Sequence, residues 1–451
     1  MLKKILYVIL CAGILAGCAT GTSETPLPTP TVVAALPSTT FTIVPTSARV
    51  ETATLTALPI PSHTATRLPP SATPLKPTRA PTASVSIAPA RPTQPIASTE
   101  TLTRFFVNAT KHPRAKCNDG TTPLFFFRRG TGIGANKWVL YFQGGGFCSD
   151  EKACKMRAPK LTSSNSWRRS QLSEIGDNED RADGIISNNP AHNPDFYNWN
   201  HVFMVYCSSD GWAGTRAASP ESFGWHFAGH YIVDSMLDAL QDKEIVGAPN
   251  LSNATQILVT GSSAGGFGVQ NNIDRIAEKF SNVDVRAVSD SAVAPFTYFG
   301  SKGWFGSAAQ AQWDLWQPRY DESCMAANAS QPWICRVGDL LVSQNHITTP
   351  MFIQAFQLDP VLLDALGIDL RQSQNRAQVL EFATQLREIL KAEPAVYSPF
   401  NAQHVAITNE RFYEYKINTN SVNLPLFEAL GNWYFNRAGP KNVIEAPRQR
   451  R

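Results

Sequence analysis

Ile257-Leu258-Val259-Thr260-Gly261-Ser262-Ser263-Ala264-Gly265-Gly266 is the stretch from which the fold of this chain can be read. Residues 257–260 are apolar or β-branched, as a buried strand requires. Small residues follow, and then Val269, Ile273, Ile276, Ala277 and Phe280 fall on one helical stripe. The order is strand, tight turn, helix. The turn matches G-x-S-x-G with Ser263 at its centre, the pattern of a nucleophile elbow, in which the serine sits on a strained turn. Its neighbours must be small to avoid clashes, and Gly261, Ala264 and Gly265 meet that need. A Gly-rich turn that merely joins strand to helix is the plainer reading, and the strand before and helix after favour the elbow. Ser262 is in the wrong register for it.

Working outward, residues 138–142 form a short apolar run ending in glycines, and 201–207 form another. Residues 226–242 read as a helix with an apolar face. Residues 283–289 are strand-like, 351–358 form a further strand ending at Asp359, and 424–435 look helical. Strands alternating with helices predict an α/β fold: a mostly parallel sheet with helices on both faces. Chemistry in such sheets sits at the carboxyl ends of the strands.

A serine hydroxyl is a weak nucleophile and needs a general base. With an elbow of this kind the partners follow in the order Ser, Asp or Glu, His. Two histidines follow Ser263, namely His346 and His404. Asp359 lies where an orienting acid belongs, which leaves His404, in the polar stretch Asn401-Ala402-Gln403-His404, as the base. Asp290 with His346 is the competing pair, although Asp290 comes one element too soon. Acyl transfer also needs backbone N–H donors for the oxyanion. One belongs to the residue after the nucleophile, Ala264. Others are expected from Gln143-Gly144-Gly145-Gly146-Phe147-Cys148, a glycine run after an early strand. That run lacks the GK[ST] ending of a phosphate-binding loop.

The 451 residues are not uniform. Lys3 and Lys4, the apolar stretch 5–16 and the small residues after it read as an export signal, too short to span a bilayer comfortably. Leu15-Ala16-Gly17-Cys18 resembles the lipobox of bacterial lipoproteins, in which the cysteine carries lipid. Residues 19–100 are rich in Thr, Pro, Ser and Ala and are expected to form a disordered tether. Fully extended, it would reach up to roughly 250 Å. The folded domain is expected over 101–440, with a basic tail over 441–451 that ends in Arg448, Arg450 and Arg451. The net charge is +4 with no basic stripe, which speaks against a nucleic-acid partner.

Of eight cysteines, Cys11 and Cys18 fall in the export segment. An even number in an exported body suggests disulfides. Cys148/Cys154 and Cys324/Cys335 look like local loops, leaving Cys117 with Cys207. No CxxC or HxxxH spacing supports a metal site, and no metal or cofactor is expected.

Residues 185–190 (Ile185-Ile186-Ser187-Asn188-Asn189-Pro190), 193–200 (Asn193-Pro194-Asp195-Phe196-Tyr197-Asn198-Trp199-Asn200) and Tyr206-Cys207-Ser208-Ser209-Asp210 resemble motifs of the pectin acetylesterase family, whose superfamily includes the Notum carboxylesterases. So does the stretch 261–266. The resemblance runs from about Asn108 to Arg437. It implies an α/β-hydrolase fold, a triad on Ser263, Asp359 and His404, oxyanion positions at Gly145, Gly146 and Ala264, and the same three disulfides. Gly146 stands where many relatives have tryptophan, and Ser289-Asp290-Ser291-Ala292 keeps only part of the family's Asp-Ser-Gly pattern. The expected activity is removal of acetyl groups from an extracellular, pectin-like polysaccharide. The alternatives are a long-chain acyl deacylase of the Notum branch and a surface carbohydrate-binding module without turnover. A monomer, lipid-anchored at the bacterial cell surface, is expected.

Overall fold

The computed structural model describes residues 101–167, 171–172, 182–242, 244–245, 247–300, 304–418 and 423–447. The expected export segment with Cys18, the tether over 19–100, and Arg448, Arg450 and Arg451 lie outside the described residues. In chain order the strands are β1 (Leu102–Phe106), β2 (Leu124–Arg128), β3 (Lys137–Phe142), β4 (Gln171–Leu172), β5 (Asn200–Met204), β6 (Gln256–Ser262), β7 (Asp284–Asp290), β8 (Met351–Gln354), β9 (Val396–Ser398), β10 (Lys416–Asn418), β11 (Asn423–Pro425) and β12 (Asn442–Ile444).

The central strands are apolar on both sides, and this dictates the layering. In β3, Trp138, Leu140 and Phe142 enter one core while Val139 and Tyr141 enter another. In β6, Ile257 and Val259 divide from Leu258 in the same way. Alternate side chains point to opposite faces, so both faces must be covered. On the first face lie the helices Gly229–Gln241 and Ala264–Lys279, the latter burying Val269, Ile273 and Ile276 completely. On the second lies Leu426–Tyr434, through Leu426, Ala429, Leu430 and Tyr434. Each Val, Ile or Leu so buried contributes about 1.5–3 kcal/mol.

Ten strands form one sheet in the order β12-β9-β8-β7-β6-β3-β5-β2-β1-β4, and β10 and β11 form a separate hairpin. The pairs from β12 through to β5 are parallel, and those involving β2, β1 and β4 are antiparallel. The chain leaves β3 toward β5 on one side, and leaves β6 toward β7 on the other. The strand order therefore reverses between β3 and β6, which opens a crevice at their carboxyl ends, where ligands bind in sheets of this type.

Three expectations are corrected in detail. The strand expected over 351–358 stops at Gln354. Beyond it Gln357 is drawn inward, its amide donating to the carbonyls of Ser398 and Glu445, before a helix starts at Pro360. The helix expected from 226 begins at Gly229, because Phe227 bridges to Arg216 instead. The expected basic tail is entered by a strand: Asn442–Ile444 pairs with β9 at the sheet's edge. Among the described residues, no helix is long and apolar enough to cross a membrane.

Candidate active site

β6 ends at Ser262 and the next helix begins at Ala264, leaving Ser263 alone at the corner. Its backbone has φ 55° and ψ −123°, a conformation sparsely populated by residues with a Cβ. The corner is tight because the helix start is pressed onto the end of β3: a Cβ on Gly265 would stand 2.0 Å from the Phe142 carbonyl oxygen. From 257 to 273, Ser263 is the one residue that is not buried. Ala264 provides the first helical N–H, which has no acceptor within the helix and carries the positive end of the helix dipole.

Across the crevice, the glycine run leaves β3. Gln143 anchors it at its root: its side-chain oxygen accepts from Tyr206 N at 2.9 Å, and its carbonyl from Trp212 Nε1 at 3.1 Å. Gly145 (φ 136°) and Gly146 (φ 68°) adopt backbone open chiefly to glycine. Two guanidinium groups flank this loop. Arg157 donates to the Gly146 carbonyl at 3.1 Å and to Ser209 Oγ at 2.8 Å. Arg336 lies 4.6 Å over the Phe147 ring, and burial pulls its pKa down to about 10. The loop then ends at Cys148, whose N–H donates to the Ser209 carbonyl.

Asp359 and His404 meet from separate loops. His404 Nδ1 lies 2.8 Å from Oδ2 of Asp359 and 3.0 Å from Oδ1. The Asp359 carboxylate is fully buried, while the His404 ring keeps 18% of its surface exposed. Asp359 also caps the helix Pro360–Asp364, its Oδ1 accepting from Val361 N at 3.0 Å and Leu362 N at 3.2 Å. Those amides and the imidazole hold the carboxylate in one orientation.

The loops of Ser263 and His404 are drawn together by β7. The Asp290 carboxylate accepts from Ser262 Oγ and from the backbone N–H groups of Ala406 and Ile407. Ser291 Oγ accepts from Val405 N at 3.1 Å. Ser263, Ser291 and Val405 all have positive φ, at 55°, 53° and 55°. For β-branched Val405 this is a marked outlier, and strain gathered at one place points to a functional site. None of Asp290's hydrogen bonds reaches a histidine ring, and His346 instead contacts Ser323 Oγ at 2.9 Å. The competing pair Asp290 with His346 is therefore not formed.

An accessible serine, an imidazole oriented by a buried carboxylate, and glycine and helix-terminal N–H groups are what acyl transfer through a serine requires. Arg157 also belongs to this surrounding and carried no signal in the sequence, and so does Ser291, which the sequence marked only through the partial Asp-Ser-Gly pattern at 289–292. The six body cysteines are bonded as Cys117–Cys207, Cys148–Cys154 and Cys324–Cys335. Among the described residues, no cluster of three or more His, Cys, Asp or Glu side chains is arranged to hold a metal ion.

The pectinacetylesterase family model matches residues 97–449. The palmitoleoyl-protein carboxylesterase NOTUM of Drosophila melanogaster is 30% identical over 343 residues, covering 70% of this chain and 46% of that protein. The palmitoleoyl-protein carboxylesterase notum1a of Danio rerio is 28% identical over 337 residues, covering 68% of this chain and 61% of that one. The chain thus spans about half to three fifths of the length of these curated relatives. The solved structure of the Wnt deacylase Notum from Drosophila superposes with a TM-score of 0.65 at 28% identity, over 77% of this chain and 97% of that one. The α/β-hydrolase-like fold is shared with it.

Proposed function

This chain belongs to the pectinacetylesterase family, and from that premise we propose that it is a carboxylic-ester hydrolase that removes acetyl groups from an extracellular, pectin-like polysaccharide. The observation that carries the reading is Ser263 itself, the one residue from 257 to 273 that is not buried, held in a strained turn at the switch point of the sheet. Ser263 Oγ attacks the ester carbonyl carbon while His404 Nε2 takes its proton. Asp359, on the Nδ1 side, fixes the tautomer and stabilises the imidazolium. The carbonyl oxygen becomes an oxyanion received by the N–H groups of Gly145, Gly146 and Ala264, each such donor being worth ~10²–10³ in rate. The tetrahedral centre collapses, the sugar oxygen leaves with the proton from His404, and the acetyl group stays on Ser263. Water, deprotonated by His404, then attacks the acetyl carbon, and Ser263 Oγ leaves with that proton from His404 as acetate departs.

A second reading keeps the same machinery and changes the acyl group. The curated relatives are named for palmitoleoyl-protein esters, which favours a longer chain. Hydrolysis of aryl esters from acetyl to octanoyl, beside Ser263→Ala, decides between them. A peak at acetyl that vanishes in the variant supports deacetylation, and a peak at octanoyl replaces it with the longer acyl group. A folded protein without turnover would turn the reading toward a carbohydrate-binding module.

The three disulfides support function in an oxidising compartment outside the cytosol. Lipid on Cys18 with a tether over 19–100 would hold the hydrolase domain at the cell surface. Labelled palmitate that enters wild type and Cys18→Ala equally would remove the anchor from this scheme.

A further inference from the structure

We propose that Asp290 is a positioning residue for ester cleavage: one buried carboxylate binds the neighbour of Ser263 and the loop of His404, and so sets the nucleophile against its base. The inference rests on the reading of Ser263 and His404 as nucleophile and base.

Asp290 is the last residue of β7, lies opposite Ser262 of β6 in register, and has no exposed surface. Its Oδ2 accepts from Ser262 Oγ at 2.7 Å, Ala406 N at 3.0 Å and Ile407 N at 3.0 Å. Its Oδ1 accepts from Ala406 N at 3.2 Å and Ser291 Oγ at 3.4 Å. Its backbone carbonyl accepts from Ser263 N at 2.8 Å. Side chain and main chain of one residue therefore hold both sides of the Ser263–His404 gap. Catalytic groups must stay within about 0.5 Å of their working geometry, and charge-assisted hydrogen bonds are the stronger kind. An apolar residue at 290 would orphan the Ala406 and Ile407 N–H groups in a dry interior.

The charge matters as well as the shape. Burial pushes the Asp290 carboxyl upward, while the Ser262 hydroxyl, the two amides and the positive charge of His404 pull it back. By reciprocity, ionised Asp290 favours the imidazolium that His404 becomes during attack. The charged groups around His404 include Asp359 in direct contact, Asp290, whose carboxyl its positive charge acts on, and Arg411, whose guanidinium donates to the adjacent Val405 carbonyl.

The test uses the exported full chain and Asp290→Asn, which keeps the size and removes the charge. With 4-nitrophenyl acetate, kcat falls ~10–100-fold and KM stays within about twofold. The His404 imidazole, followed by NMR, titrates about half a pH unit lower in the variant. A merely structural role would leave that titration in place. A folded Asp290→Asn protein with wild-type kcat and an unmoved His404 titration overturns the inference. If Asp290→Asn does not fold, Ser262→Ala with Ser291→Ala removes the hydroxyl contacts and keeps the charge. A kcat drop of about 3–10-fold at constant KM then supports the role, and unchanged kcat overturns it. Wild type inactive on every ester defeats the hydrolase reading and the positioning with it, whereas active wild type beside an equally active Asp290→Asn with an unmoved His404 titration defeats the positioning alone.

Discussion

Gly144 lies so close to Ser263 that a Cβ on Gly144 would stand 3.2 Å from the Ser263 Cβ and 2.6 Å from the Ser262 carbonyl oxygen. The obstructing oxygen is backbone at the end of a central strand, which cannot yield. Gly144→Ala therefore moves the glycine loop and draws the Gly145 and Gly146 amides off the oxyanion. The expected outcome is a kcat lower by ~10²-fold or more on 4-nitrophenyl acetate, with an unchanged far-UV spectrum. Wild-type turnover in this variant would take the glycine loop out of the oxyanion site.

Asp359→Asn separates catalysis from stability. Asparagine caps helices as well as aspartate does, so the bonds to Val361 N and Leu362 N are kept and the melting temperature stays close to wild type. Its amide cannot stabilise an imidazolium or enforce the tautomer, and kcat drops by roughly 10⁴. Asp359→Ala loses the cap as well, at about 1 kcal/mol. Thermal melts and steady-state kinetics on both variants check this, and an active Asp359→Asn enzyme would refute the assignment of the acid.

The disulfides divide by task. Cys117–Cys207 closes a separation of 90 residues, and its removal as a double alanine variant costs about 4–5 kcal/mol in urea unfolding. Cys148–Cys154 spans 6 residues, and its loss costs only about 2 kcal/mol. It secures the end of the glycine loop, however, so kcat in the Cys148→Ala, Cys154→Ala variant falls ~10-fold or more from misplacement of the donors. If stability and rate fell in the same proportion in both variants, this division would be wrong.

Stability also carries a pH signature away from the site. Asp339 is buried, its Oδ2 accepts from Thr297 N at 2.7 Å, and burial pushes its carboxyl up from 3.8 to about 6. The fold favours the protonated acid, so this contribution is complete below about pH 4 and is lost as pH rises through 6. Asp339→Asn is neutral throughout. Its stability relative to wild type should grow between pH 4 and pH 7, by up to roughly 3 kcal/mol. Melting curves that stay parallel over that range would exclude a buried acid at 339.

β3 and β6 could be read from the chain because buried parallel strands carry near-continuous apolar runs, here 138–142 and 257–259, and the glycines after those runs carried the turn chemistry with them. Order after Ser263 pointed to Asp359 beside His404, and the two side chains do meet, although the strand expected to deliver Asp359 stops at Gln354. β12 was missed because three residues, Asn442–Ile444, are too few for a period to register. The part played by Asp290 was out of reach for a different reason. Two of its donors are the main-chain N–H groups of Ala406 and Ile407, 116 and 117 positions away. A backbone amide is common to nearly every residue, so no side chain marks it as a partner.

The left-handed backbone at Ser263 sets durability against use. A serine held there costs about 1–3 kcal/mol that glycine would not, so Ser263→Gly should melt higher while losing the hydroxyl. Random mutation at this position therefore runs downhill toward a sturdier, silent protein. A descendant freed from the demand for turnover could take that step in one substitution. Serine persists at 263 only while selection for what it does outweighs the steady pull of the more comfortable residue.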